Sequence, residues 1–294
     1  MLGLPKVNWR RASEVFPEEE GYTLFKNNSP ASISFHDVKQ GALATYWVLS
    51  TISALAEYPE RIYNMFDQKT LNKAGIYTIR MYAMGVPVSV LVDDYIPETL
   101  SDDSDENNFV KVTPDKELWP VLLEKAFAKL YGNYLSINKG WPTDAALGMI
   151  GSDGRTINHS SMTVEALWDY LKENDGKKAL IQCFCMIARY GLTRSQSYTV
   201  LGVVELSNGV KLVKVRNPFA IDNYTGPWND SDPLWTDLFK SEAGMESAND
   251  GTFFVPIYDY KRGFFMSMSN PDTSNWHHSY FLSLDNKELG EEGA

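Results

Sequence analysis

The apolar residues of this 294-residue chain recur mainly at helical spacing in the first half and mainly at strand spacing in the second, and that shift limits the folds open to it. In the first half, Trp47, Val48, Ile52 and Leu55 recur at helical spacing over about 46–58, and Pro59 ends the run. A second helix is predicted over about 115–131 from Leu118, Leu122, Ala126 and Leu130, stopping at Gly132. Between them, 75–95 reads as a hairpin turning near Gly85 and Pro87, with Val88, Val90 and Val92 alternating after the turn. A third helix, about 163–173, has Thr163 as its N-cap and Gly176 beyond its end. From there the pattern is β. Lys178 to Ala188 and Tyr198 to Glu205 read as strands, Ser207-Asn208-Gly209 turns into Val210 to Val215, and Gly251 to Ile257 adds another. A helix-rich half followed by a β-rich half predicts an α+β fold of two lobes with a cleft between them.

The boundaries follow from punctuation. Residues 1–36, with Pro17, Glu18 to Glu20 and Asn27-Asn28-Ser29-Pro30, read as an extended N-terminal arm. Lys139-Gly140-Trp141-Pro142 divides a helix-rich first lobe (37–140) from a β-rich second lobe (141–260), and 261–294 reads as a C-terminal extension. Hydrophobic residues make up 44% of the chain, enough for a sizeable core. The net charge of -11 argues against nucleic acid and anionic membranes as partners. No apolar run reaches the roughly 18 residues that a membrane span needs, and the start of the chain lacks a signal peptide's apolar stretch. The expected setting is the cytoplasm. Cys183 and Cys185 lie two apart in an apolar run, so a strand would point both into the core. The acidic run Ser101 to Asn108 fails the calcium-loop pattern, because Asn108 stands where glycine is needed and Pro114 where glutamate is needed; it reads as a solvated loop.

Four segments carry a more specific signal. Gln40-Gly41-Ala42-Leu43-Ala44-Thr45-Tyr46-Trp47 precedes the first helix. Leu122-Leu123-Glu124-Lys125-Ala126-Phe127-Ala128-Lys129 lies in the second. Gly191-Leu192-Thr193-Arg194-Ser195-Gln196-Ser197-Tyr198-Thr199-Val200 opens a strand. Arg216-Asn217-Pro218-Phe219 is followed by Gly226-Pro227-Trp228-Asn229-Asp230. In this order and spacing they resemble the calpain family, whose patterns are Q-G-x-L-G-D-C-W, L-L-E-K-A-Y-A-K, G-L-x-x-x-H-A-Y-S-V and R-N-P-W…G-x-W-S-D. The resemblance covers about 37–255. It implies a papain-like two-lobed protease core in which one lobe presents a thiol at a helix N-terminus and the other an imidazole base.

Residue by residue, the resemblance puts Tyr46 at the nucleophilic cysteine and Gln196 at the general-base histidine. Gln40, at the oxyanion-binding glutamine, and Asn217, at the residue that orients the histidine, are retained. A thiol beside an imidazole at a helix N-terminus ionises near neutral pH. A phenol titrates near 10 and is a far weaker nucleophile. Glutamine has no basic nitrogen. Losing one member of such a machine forfeits orders of magnitude in rate, and here both are absent. No catalytic residue is therefore expected. A relocated nucleophile has little support: Thr45 points about 100° away around the helix, Ser50 faces the core, and His36, His159, His277 and His278 fall outside the base position.

Calpain cores carry two calcium sites. The resemblance places Asp37 and Glu117 at carboxylate ligands of the first, with backbone carbonyls near Pro30 and Ser32. At the second, Asp230 and Asp250 match, Ala248 holds a carbonyl position, and Asn223 and Thr252 replace two glutamates. Calcium wants six to eight oxygens and strong anionic charge, so only the first site is a candidate, and no cofactor is required. The functional expectation is a catalytically inactive calpain-like pseudoprotease acting as a scaffolding or protein-binding subunit, with other proteins as partners. Degenerate relatives in ciliated and flagellated protists suggest a cytoskeletal or ciliary assembly. The alternatives are a regulatory pseudoenzyme that holds peptides in the cleft and a hydrolase with a relocated nucleophile. Docking is expected on the arm or on the aromatic tail, which holds Tyr258, Tyr260, Phe264, Phe265, Trp276, Tyr280 and Phe281.

Overall fold

The computed structural model describes residues 7–16, 21–97, 108–274, 276 and 279. The acidic run 101–107, Glu18 to Glu20, His277-His278, Tyr280 and Phe281 lie outside the described residues. The chain begins with β1 (Trp9–Arg11) and α1 (Ala12–Val15), then three short 3-10 turns, α2 (Tyr46–Ala56) and α3 (Pro59–Met65). A hairpin of β2 (Ile76–Ala83) and β3 (Val86–Asp93) leads to β4 (Tyr95–Pro97), α4 (Trp119–Leu130) and α5 (Pro142–Ile150). The rest is β5 (Arg155–Asn158), α6 (Val164–Gly176), β6 (Leu180–Cys185), β7 (Gln196–Glu205), β8 (Lys211–Arg216), α7 (Asp237–Ala243), β9 (Thr252–Pro256), α8 (Ile257–Gly263) and β10 (Met266–Asn270).

The two-lobed α+β arrangement is present. α2 is its axis, and every residue of that helix is buried. A helix apolar all round needs cover on all sides, and α2 gets it from both lobes. On one side, α3, α4, α5 and the β2–β3 hairpin build a core with Trp47, Leu49 and Ile52; the Trp47 indole N–H donates to the Ile137 carbonyl at 2.8 Å. On the other side lies an antiparallel six-stranded sheet ordered β5-β10-β6-β7-β8-β9. Its far face packs α6 and α8 over Cys183, Cys185, Tyr198 and Phe253. Both cysteines are buried and unbridged in that core, as the spacing predicts.

Several elements depart from the sequence reading. Pro59 does not merely end a helix: α2 stops at Ala56, and Pro59 opens α3, where its missing N–H costs nothing. α6 runs through Gly176 rather than stopping before it, and Thr163 caps it by accepting from the Ala166 N–H. Residues 142–150, assigned to the second lobe, form α5 and bury Ala145 and Met149 in the first-lobe core. Residues 266–270, assigned to a C-terminal extension, form β10 inside the sheet, between β5 and β6. β10 is buried on both faces but offers only two apolar residues, Met266 and Met268, which meet the first-lobe core; on its other face Ser267 bonds His159 and Tyr260, and Ser269 bonds Tyr170, so that face is filled with hydrogen bonds. The tail aromatics divide: Tyr260 and Phe264 are core, while Tyr258, Phe265 and Trp276 are exposed.

Candidate functional site

α2 begins at Tyr46, so this residue stands at the helix N-terminus facing the second lobe. The turn before it is fixed from below. The Thr45 hydroxyl donates to Glu124 Oε1 at 2.8 Å, and the Val110 N–H donates to Glu124 Oε2 at 2.9 Å. Full burial pushes the Glu124 carboxyl up to about 7. The Thr45 hydroxyl is therefore committed to the first-lobe interior and is 1% exposed. Ser50 is likewise buried, bonded to the Trp47 carbonyl. The Tyr46 side chain is 8% exposed and packs against Phe184 of β6, with ring centroids 6.3 Å apart. Trp141 covers the other side of Phe184 at 5.4 Å. Burial raises the Tyr46 phenol above its ordinary value, further from a nucleophilic phenolate.

Gln196, the first residue of β7, is buried and donates its amide to Gln40 Oε1 at 3.3 Å, from the second lobe to the first. Gln40 is held in place: one N–H of its amide donates to the Leu43 carbonyl at 2.9 Å, and its backbone N–H to the Pro218 carbonyl at 2.9 Å. An oxyanion donor must be aimed at the reacting oxygen, and one N–H of this amide is directed to the adjacent turn. Asn217 is turned away from Gln196. It donates to the Ile221 carbonyl at 3.0 Å and accepts from the Phe219 N–H at 3.1 Å, closing its own loop. The fold thus brings Gln40, Tyr46 and Gln196 to one lobe junction and gives Asn217 a local task.

Sequence reasoning missed the residues that tie this junction together. Arg216 is buried on β8; it donates to Ser53 Oγ at 2.9 Å, the Val38 carbonyl at 2.9 Å and the His36 carbonyl at 3.3 Å, all on the first lobe. Burial lowers its guanidinium to about 10, against the pull of Asp250 and Asp37. Thr199 bonds the Ser50 carbonyl, and Gln182 bonds Thr51. Arg216 sits in the R-N-P-F motif and Glu124 in the L-L-E-K helix, so the motifs marked them; their partners were invisible because they lie far away in the chain.

A serine and an imidazole do meet elsewhere. His159 Nε2 lies 2.8 Å from Ser267 Oγ, and its Nδ1 lies 2.8 Å from the Phe264 carbonyl. A carbonyl only accepts, so Nδ1 carries the proton and Nε2 accepts from Ser267. This pair sits on the face of the sheet away from α2, under α8, with Ser267 wholly buried. It is not at the mouth of the cleft, and a substrate carbonyl has no route to Ser267 Oγ. Burial lowers His159 to about 4. His36 is paired with Asp250 at 3.4 Å, outside the base position. The cysteines are no better placed: burial pushes Cys185 up to about 11 and raises Cys183 well above its ordinary value.

The calcium positions are held by protein donors. Glu117 Oε1 accepts from the Lys26 N–H at 2.6 Å and the Ser32 hydroxyl at 2.9 Å. Asp37 Oδ2 accepts from the Ser34 N–H at 2.7 Å and completes a capping box on its 3-10 turn. Burial, with Glu117 nearby, pushes Asp37 up to about 7. These carboxylates already do inter-element and capping work. At the second site, Asp250 turns to the Thr252 N–H and His36, while Asp230 Oδ2, Asn223 Oδ1 and Thr252 Oγ1 are buried without partners. Only one of those three oxygens is anionic. Among the described residues, no group of three His, Cys, Asp or Glu side chains is placed to hold a metal. At the first position both carboxylates thus spend an oxygen on protein donors, and at the second the charge is low for a divalent cation.

The fold thus sets a helix N-terminus of one lobe against the sheet of the other. The model of the calpain family cysteine proteases matches residues 3–268, and the chain belongs to that family. The calpain-type cysteine protease ADL1 of Oryza sativa subsp. japonica is 31% identical over 270 residues, 86% of this chain and 12% of that protein. DEK1 of Zea mays is 31% identical over 244 residues, covering 78% of this chain and 11% of its own length. Human calpain-14 is 29% identical over 272 residues, 88% of this chain and 38% of its own. The chain thus spans only a minor part of the relatives it matches. No helix among the described residues is long and apolar enough to cross a membrane.

Proposed function

We propose that this calpain-family core no longer cuts peptides and works by binding other proteins as a scaffolding subunit. The observation that supports this most directly is the junction itself. Tyr46 fills the space before α2 and packs on Phe184, and Gln196 is bonded to Gln40, so the two substituted positions join the lobes instead of flanking a substrate. The same packing weighs against a cleft that captures peptides. A place in a cytoskeletal or ciliary assembly rests on the family resemblance alone and is tested by locating the tagged protein in its native cell. The direct test is turnover of fluorogenic peptides by the purified chain, with and without calcium, alongside its thermal midpoint. We expect no turnover above a boiled control and no calcium-dependent shift of the midpoint. Peptide cleavage that disappears in a Thr45→Ala or Tyr46→Phe variant would overturn the reading. A calcium-induced rise in midpoint would restore the metal sites.

A further inference from the structure

We propose that the corner formed by the loop after β6, the end of α8 and the start of β10 docks an acidic protein segment through one apolar anchor side chain. The corner encloses a cavity of about 240 Å³ over His159, the room of one large side chain. Its walls carry three exposed apolar residues, Met186 (44%), Ile187 (71%) and Phe265 (39%). Its charged residues are Lys261 and Arg262, and no carboxylate lines it. Neither cation forms an ion pair with a described residue. On a chain of net charge -11, this concentrates positive charge and apolar surface in one concave place. Such a combination attracts negative charge and rewards an apolar group that leaves water.

The corner is also rigid, which lowers the entropic cost of binding. The Phe265 N–H donates to the Phe184 carbonyl at 2.8 Å, and the His159 N–H donates to the Phe265 carbonyl at 3.0 Å. The Cys185 thiol donates to the Ile187 carbonyl at 3.1 Å, and the Ser195 N–H closes the loop on the Cys185 carbonyl at 2.8 Å. The exposed side chains thus stand on pinned backbone. Concavity favours a protein segment over a lipid surface, which would press against a flat or convex face, and the overall charge opposes an anionic bilayer. The inference rests on the protein-binding reading above and supplies the chemistry of the partner.

The test is fluorescence anisotropy of the full chain with short labelled peptides, each with a central Leu or Phe flanked by glutamates or, in the control set, by lysines. Acidic-flanked peptides should bind, and added salt should weaken them. The double variant Lys261→Glu, Arg262→Glu should lower affinity by roughly tenfold or more, and Ile187→Asp by a similar factor. Ile187 and Arg262 are exposed and Lys261 is only partly covered, so the thermal midpoint should stay unchanged, which separates lost docking from lost folding. Equal binding of both peptide sets, absence of binding, or binding untouched by charge reversal would overturn the inference. So would binding of phosphatidylserine vesicles in preference to the peptides. Mass analysis of the peptides afterwards keeps the two claims apart: a cut peptide refutes the loss of catalysis and leaves docking standing, while intact and unbound peptides refute docking alone.

Discussion

Placing a thiol and an imidazole at the two positions that the calpain resemblance marks, Tyr46→Cys with Gln196→His, should weaken the fold without producing an efficient protease. The Tyr46 side chain is 8% exposed and faces Phe184. Aromatic side chains bury about 150–250 Å² each, and a thiol recovers only a part of that. Losing roughly 100–150 Å² at ~25 cal/mol/Å² costs about 2.5–4 kcal/mol, which overlaps the range of ~3–5 kcal/mol for truncating a buried aromatic. For a domain this large, that lowers the thermal midpoint by roughly 10 °C. The new imidazole also replaces the amide that bonds Gln40. Catalysis would still lack support. One N–H of the Gln40 amide is engaged by the Leu43 carbonyl, and Asn217 bonds Phe219 and Ile221 of its own loop. Calorimetry reads the first effect. Peptide turnover and the pH dependence of thiol alkylation read the second. The new thiol should react as an ordinary buried one, with little labelling below pH ~8. Calcium-dependent turnover, or alkylation that persists below neutral pH, would refute this account of the junction, and an unchanged midpoint would refute the packing argument.

Two further outcomes follow from buried charge. Arg216→Met removes three bonds from β8 to the first lobe and strands the His36 and Val38 carbonyls, at a cost of about 3–5 kcal/mol in denaturant unfolding; a change under ~1 kcal/mol would show that Arg216 does not tie the lobes. Glu124 favours the folded state only while protonated, because its folded pKa of about 7 lies above the ordinary 4.5. Its contribution is fully present below pH 4.5 and fades as pH rises through about 7, by on the order of 3 kcal/mol. Glu124→Gln mimics the protonated acid, so the variant should gain on the parent across that window when both are unfolded by urea at a series of pH values. A constant difference between the two curves would refute the assignment.

The residues at the positions that the calpain resemblance marks as reactive were legible in the chain. A phenol at 46 and a carboxamide at 196 exclude thiolate chemistry whatever surrounds them, because nucleophilicity and basicity belong to the side chain. So did the order of elements, since apolar period reports which face of a helix or strand is buried. What those residues do instead was decided by tertiary structure. Tyr46 needs Phe184 to become a packing residue, and Gln196 needs Gln40 to become a bridge. Asn217 stays in its motif yet spends both amide atoms on its own loop. β10 and α5 lay outside the reading because a strand with two methionines between bonded serines and a nine-residue helix with small buried residues carry only a weak apolar signal. A partner far away in the chain, or a polar atom satisfied inside the core, leaves no trace in local pattern. Only the packed structure supplies the distance at which such groups meet.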